Sequence, residues 1–387
     1  MLKYLPQQAS ALTVSVTREL PDFWPSAQQP GAGRCHIFQT REFIDAWLAS
    51  YGTDSRFRAY FVAVRNAGGE LVLLLPLSVE RRKGISILSF IDQGQADYNA
   101  PVLFGAAPAW SEGNVRTLWA AILAALPQAD VVLLEKMPAA VGLLHNPLHL
   151  LAAGTEIASS HGNKLNVTWA EVEKGLNSPK EIRKKERQLA KALAPGEFVV
   201  AQTLEQRDRL IAALVEQKQR RYEETRVPGF AENPASLAFL KSATAVFAQS
   251  GNLSLSALTV GNEVAAVQWG LVHNGIFYAL WTSFAEGQLA SFSCGRILNY
   301  HLIKRAHEQQ LDYFDQGFGD EPYKLINTDT TVALYRSETG FTLAGKLFLF
   351  LRNLRTSLGA TPLGLRLRSL KWVLLRAIGR KSIDTQR

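Results

Sequence analysis

Residues 253–284, LSLSALTVGNEVAAVQWGLVHNGIFYALWTSF, hold three runs of apolar, β-branched and aromatic residues broken by Gly261-Asn262 and Asn274-Gly275. Glycine and asparagine reach the positive φ angles that two-residue hairpin turns demand. The stretch therefore predicts an antiparallel meander of strands Leu253–Val260, Glu263–Val272 and Ile276–Ser283. After it, Ser293 or Cys294 opens a helix to about Gln310, followed by a strand Asp312–Asp315, a glycine loop and a last strand near Thr331–Tyr335. Before it come a strand Phe198–Gln202 and helices Glu205–Tyr222 and Pro234–Gln249. Further upstream, Ser178-Pro179 starts a basic helix, Lys180–Leu193, that Ala194-Pro195-Gly196 ends, and a domain boundary is expected at 177/178.

The first half shows a related order. A helix within residues 36–51 with Thr40 as its cap leads to strands Arg58–Val64, Leu71–Glu80 and Ile85–Ile91, then a helix Trp110–Leu126 and a buried strand Asp130–Glu135. Helices, a meander, a long helix and a further strand thus occur twice, and the element order alone points to an internal duplication. The fold class expected is α/β (α+β), with domains at 1–177 and 178–340 and a helical tail at 341–387.

The 387 residues are 47% hydrophobic and 20% charged, which excludes a disordered or collagen-like chain and leaves room for large cores. Residues 341–387 hold ten Lys/Arg against one acid, Asp384, so the tail carries +9 of the net +8 and residues 1–340 carry −1. The basic pI belongs to the tail, and the charge gives no support for DNA binding. The amino terminus lacks a basic segment followed by an apolar run, and Cys35 and Cys294 show no metal-ligand spacing. A reducing cytoplasm and no metal are expected.

The tail pairs Phe, Leu and Trp with Arg and Lys over Phe341–Thr356 and Leu363–Ile378, as helices lying on anionic lipid do. Docking on the inner face of the cell membrane and packing on the body both stay open.

Chemistry concentrates in Asp315-Gln316-Gly317-Phe318-Gly319-Asp320-Glu321-Pro322-Tyr323-Lys324, where a strand ends in a carboxylate, two glycines bracket an aromatic, and Tyr-Lys closes the loop. Glycines let a backbone approach a ligand, while Tyr323 and Lys324 supply a hydroxyl and a cation that polarise a carbonyl. The plainer reading is a turn in which Asp315 satisfies amides and Lys324 pairs with Glu321 or Asp320. The small residues Ser291, Ser293, Cys294 and Gly295, followed by Arg296, stand at the start of a helix whose free amides suit a pyrophosphate, although such residues also serve as ordinary caps. Glu223 and Glu224 end a charge-dense helix and are either a general base or solvated surface. The basic helix 180–193 suits phosphate or a polyanion, or solvent.

The order KEIRKKERQLAKAL, KQRRYEETR, the meander, and then SFSCGRILNYHLIKRAHEQQLDYFDQGFGDEPYK resembles GNAT-fold acetyltransferases of the CelD/BcsL type. It is similar in architecture to FemAB peptidyltransferases, which carry two tandem GNAT-like domains. The likeness covers about residues 178–336 and reaches the first half through Asp97-Tyr98-Asn99-Ala100-Pro101. It implies two tandem GNAT-like domains with mixed, mostly antiparallel sheets. The implied reaction is acyl transfer from acetyl-CoA, or another acyl-CoA, to an amine or hydroxyl of a sugar or polysaccharide precursor in exopolysaccharide or cellulose biosynthesis.

The pyrophosphate pattern Q/R-x-x-G-x-G/A falls on Ser291–Arg296, with Gly295 matching and Ile297 in place of the second small residue. Asp315 is the first candidate for the base, Glu223 and Glu224 the further ones, and Lys324 the oxyanion partner. The FemAB likeness keeps aminoacyl-tRNA open as an alternative donor, and a non-catalytic scaffold of a polysaccharide-synthesis complex is the third reading.

Overall fold

The computed structural model describes residues 12–359 apart from Pro30 and Ala153, with side chains described to Thr356. The first half contributes strands β1 (Thr13–Thr17), β2 (Phe57–Arg65), β3 (Leu71–Arg82), β4 (Ile85–Phe90), β5 (Val131–Pro138) and β6 (Glu156–Lys164). The second half contributes β7 (Gly196–Val200), β8 (Leu253–Val260), β9 (Glu263–His273), β10 (Ile276–Phe284), β11 (Tyr313–Phe318) and β12 (Thr330–Gly340). The helices are α1 (Arg41–Leu48), α2 (Glu112–Ala125), α3 (Trp169–Gly175), α4 (Pro179–Ala192), α5 (Leu204–Thr225), α6 (Pro234–Gln249), α7 (Cys294–Glu308), α8 (Pro322–Leu325) and α9 (Leu343–Gly359).

All twelve strands join one 13-stranded sheet in the order β1-β2-β3-β4-β5-β12-β6-β11-β10-β9-β8-β7, with Val102–Leu103 pairing on the side of β3. Each half runs through four antiparallel strands and then a parallel fifth, Ile87↔Val131 between β4 and β5 and Ile276↔Tyr313 between β10 and β11. The sixth strands are exchanged. β12 of the second half pairs with β5 (Gly340↔Val131), β6 of the first half pairs with β11 (Tyr313↔Lys164), and the two pair with each other (Thr330↔Gly162). The mixed, mostly antiparallel sheet agrees with the expected fold class, and the repeated strand order gives the duplication a geometric basis.

Three cores stabilise the sheet. One lies under the first half around Val62, Leu75, Leu88 and Ile122, and a second under the other half around Leu258, Ile297, Leu302 and Phe314. The third is shared: Phe38, Trp47, Phe43 and Tyr98 pack with Leu214, Phe239, Trp269 and Tyr278, and the rings of Phe43 and Phe239 meet edge to face at 5.2 Å. Full burial of each such side chain contributes on the order of 1.5–3 kcal/mol, so the halves are held together by an interior and not by a surface contact.

The meander follows the expected boundaries, but five elements go beyond the sequence reading. β1, β6 and α3 were not expected there, β12 runs to Gly340 where Tyr335 was expected, and the glycine loop holds the one-turn helix α8. Of the tail helices, α9 answers to Phe341–Thr356, while Leu363–Ile378 lies outside the described residues. Among the described residues no helix is long and apolar enough to cross a membrane.

Candidate active site

The parallel pair β10 and β11 stays in register only through Ile276↔Tyr313, Phe277↔Phe314 and Tyr278↔Asp315. Beyond Asp315 the strands part, and on the other side of β10 the register slips between Trp269↔Trp281 and Gly270↔Ala279, which leaves Leu280 bulged. A bulge bends its strand and increases its twist, so the slip helps turn β10 away from β11.

Asp315 sits at the root of this opening, 2% exposed, and is fully engaged. Its Oδ1 accepts from the Ser160 hydroxyl at 2.9 Å and the Gly317 amide at 2.7 Å, and its Oδ2 accepts from the Tyr98 hydroxyl. Burial pushes its carboxyl above the usual range, against the pull of those hydrogen bonds and of Lys324.

Lys324 is also buried. Its Nζ donates to the Phe318 carbonyl at 2.8 Å and the Gly317 carbonyl at 3.2 Å and pairs with Glu321 at 3.0 Å, so the pairing expected of a plain turn is present. Asp320 pairs instead with His161, at 2.8 Å. Tyr323 is 54% exposed, and its partial burial with the charges of Glu321 and Asp97 pushes the phenol up to about 12.

The half-buried carboxylate at the mouth is Asp97, from the first half. Its Oδ2 lies 2.6 Å from where a Cβ on Gly317 would stand, Gly317 has φ +83°, and the Phe318 amide donates to the carboxylate. Burial first and the Asp315 charge second push Asp97 up to about 6, with Lys136 and Lys324 pulling the other way. Lys136, at φ +59°, bonds Asp92 at 3.0 Å and the Ala96 carbonyl at 2.6 Å and lies 5.4 Å from the centre of the Phe318 ring. Burial opposes charge at Asp92, but Lys136, the Ala96 amide and Asn99 outweigh it and hold that carboxyl low. Behind Tyr98, His36 stacks on its ring at 4.4 Å and its Nδ1 lies 3.2 Å from the Tyr278 hydroxyl. Burial, then the neighbouring His273, lowers the His36 pKa to about 3, so the ring is neutral.

Asp97, Tyr98, His36 and Lys136 were not singled out as site residues. The first two stand in a stretch quoted only for its likeness, and no spacing within one half announces a side chain supplied by the other.

The same loop closes the equivalent gap in the first half. Asn99 Nδ2 bridges Asp92 at 2.9 Å and the Glu135 carbonyl at 3.1 Å, and its amide donates to the Lys136 carbonyl at 2.9 Å. The helices after the two gaps differ as well. Ser111 caps α2 through a box with Asn114, whereas Ser293 before α7 adopts φ +58° and makes no side-chain cap. The first amides of this 15-residue helix therefore have no side-chain cap at its positive end.

Lys185 of α4 donates to the Ser291 carbonyl at 3.0 Å, and Arg296 reaches the Asn177 carbonyl at 3.4 Å. A Cβ on Gly295 would come to 3.3 Å from the Phe284 ring. Ile297 is fully buried, and burial pushes the Cys294 thiol up to about 11, which keeps it protonated. This end of α7 suits a diphosphate: first-turn amides without a side-chain cap, a nearby ammonium, and a half-buried glycine in place of a larger side chain.

Glu223 and Glu224 end α5 away from the Asp315 cluster. Glu223 accepts from Gln219 at 3.1 Å; Glu224 pairs with Arg221 at 3.3 Å, and its interaction with Glu286, just after β10, holds the Glu224 carboxyl down and raises that of Glu286. Among the described residues no group of three or more His, Cys, Asp or Glu side chains could hold a metal.

Residues 177–325 match the family described as the acetyltransferase (GNAT) domain. Among solved structures, FemX superposes with a TM-score of 0.53 at 10% identity, over 82% of this chain and 94% of that one. L-PGS from Bacillus licheniformis gives 0.47 at 12% identity over 81% and 96%. A tandem GNAT protein from the clavulanic acid biosynthesis pathway gives 0.43 at 14% over 74% and 85%. No curated protein sequence matches. At 10% identity the likeness to FemX is one of fold alone. Residues 177–325, which hold the parted parallel strands and the uncapped helix, are thus similar to the acetyltransferase (GNAT) domain family over less than half of the chain.

Proposed function

We propose that the chain transfers an acyl group, acetyl from acetyl-CoA, to an amine or hydroxyl of a sugar or polysaccharide precursor, as the CelD/BcsL likeness implies. The observation that carries the reading is the contrast between the two gaps: the first is bridged by Asn99 beside a capped helix, the second is parted beside an uncapped one. Ser291, Ser293, Cys294, Gly295 and Arg296 would hold the donor's diphosphate, with Lys185 beside them, and the bound donor would supply the activated acyl carbon.

The chain's own groups divide the remaining work. Asp97, half-buried with its pKa near 6, takes the proton of the acceptor nucleophile. Asp315, whose oxygens are already filled, orients the Tyr98 hydroxyl and is a positioning residue. Lys324 fixes the carbonyls at the end of β11 and offsets the two carboxylates, and Tyr323 stands exposed beside them.

A second reading, aminoacyl-tRNA as donor, is favoured by one feature. The basic helix α4, with six Lys/Arg against two Glu over residues 180–193, touches the loop before α7 through Lys185. Thermal melting separates the readings. At 100 times its dissociation constant a ligand adds about 2.7 kcal/mol of stability. A rise in Tm with acetyl-CoA supports the first, a rise only with charged tRNA the second, and no rise with either leaves the scaffold reading.

A further inference from the structure

Helix α9 is fixed to the sheet by its polar side. Arg352 bonds Glu135 at 2.5 Å and Glu338 at 3.1 Å, Asn353 bonds Glu338 at 2.6 Å, and Gly345 is packed so closely that a Cβ there would meet the Asp130 carbonyl at 2.1 Å. Phe348 and Leu349 are half-buried on that side. Along the other side stand Leu343 (86% exposed), Leu347 (57%), Phe350 (63%), Leu351 (53%) and Leu354 (44%), whose spacing of four, three, one and three makes a single helical face. A helix on a protein in water buries its apolar stripe and shows its charges. Here the ion pairs face in and five large apolar side chains face out, and among the described residues nothing covers them. A patch of this kind marks a surface for an apolar partner.

The charges around the stripe select the partner. Lys346 and Arg355 are exposed on the helix, and from residue 341 to 387 Asp384 is the only acid against ten Lys/Arg. A second copy meeting the same face would set these cations against one another. The stripe is four leucines and one phenylalanine, without the Trp, Tyr or Arg anchors that concentrate affinity at protein interfaces. Leucine and phenylalanine rimmed by cations are the composition of helices that lie in a bilayer interface beside anionic headgroups, and among the described residues no helix is long and apolar enough to span one.

We propose that the outward face of α9 seats the protein on an anionic lipid surface, with Leu347 and Phe350 among the acyl chains and Lys346 and Arg355 among the headgroups. This is independent of the donor and acceptor named above.

The test is co-sedimentation of the full chain with vesicles of phosphatidylcholine alone and of three parts phosphatidylcholine to one part phosphatidylglycerol. Expected are binding at least tenfold tighter to the mixed vesicles, weakening as salt rises, and a loss of at least tenfold in the double variant Leu347→Glu, Phe350→Glu with its Tm unchanged. Equal binding by the variant, or equal binding to both vesicles, overturns the proposal. A fall in the variant's Tm means that the chain itself covers the stripe, and a lipid-free dimer that the variant dissociates means that a second copy does; either result overturns it as well.

Discussion

The Asp97 carboxylate occupies the space that a side chain on Gly317 would fill, its Oδ2 lying 2.6 Å from the ideal Cβ position. One half of the chain thus supplies an acid and the other leaves out a side chain to receive it. Gly317 is also at φ +83°, which a residue with a Cβ adopts at a cost of about 1–3 kcal/mol. Gly317→Ala is expected to lower stability by about that amount and to lower kcat at least tenfold as Asp97 is displaced. A denaturant melt and steady-state kinetics check both, and an unchanged kcat removes the fit between the two residues from the mechanism.

Asp97→Asn is expected to separate stability from activity. Folding raises the Asp97 pKa from 3.8 to about 6, so from about pH 4 to 6 the native state keeps a proton that the unfolded chain has released. The stabilising contribution of this group is therefore present below the unfolded pKa and lost as pH rises through about 6. The Asn variant escapes that loss. At pH 7.5 it should be more stable than the parent, by about 1–2 kcal/mol after allowance for solvent, while kcat/KM falls on the order of 100-fold. Parallel melts and rate measurements decide it.

The pH profile offers an independent reading of the same group. kcat/KM should climb as pH rises through about 6 and then level, and the climb should vanish in Asp97→Asn. A climb that survives the substitution assigns the titration elsewhere.

Asp315→Asn tests the positioning role. The carboxylate holds the Tyr98 hydroxyl, the Ser160 hydroxyl and the Gly317 amide, and an amide accepts fewer of these bonds and brings a donor of its own. A loss of about 1–3 kcal/mol is expected, with a smaller effect on kcat than Asp97→Asn and with the climb retained but moved to lower pH, because the Asp315 charge no longer raises Asp97. The reverse order of effects would return the role of base to Asp315.

The meander, its turns, the basic helix and the glycine-bracketed strand end were legible because each depends on local pattern. β6 was not, and its residues say why. Ser159, Ser160, His161 and Asn163 are buried polar side chains without the apolar alternation by which strands are read. They are tolerated because Ser160 bonds Asp315, His161 bonds Asp320 and Asn163 bonds Gln316 and the Asn327 carbonyl, all from the other half. The site divided in the same way. Asp315, Tyr323 and Lys324 stand together in sequence and in space, while Asp97 and Tyr98 lie more than 200 positions earlier and reach the site only through the shared core.

The traded sixth strands carry a consequence for how such a protein is handled. A fragment ending at 177 would keep a strand whose partners it lacks and would miss the one that flanks β5. A fragment starting at 178 would show the complementary defect. Each excised piece would carry a bare hydrogen-bonding margin, the kind of surface on which chains stick to one another. The two copies of the repeat are interlocked, and melting should proceed as one event, with neither copy surviving the loss of the other.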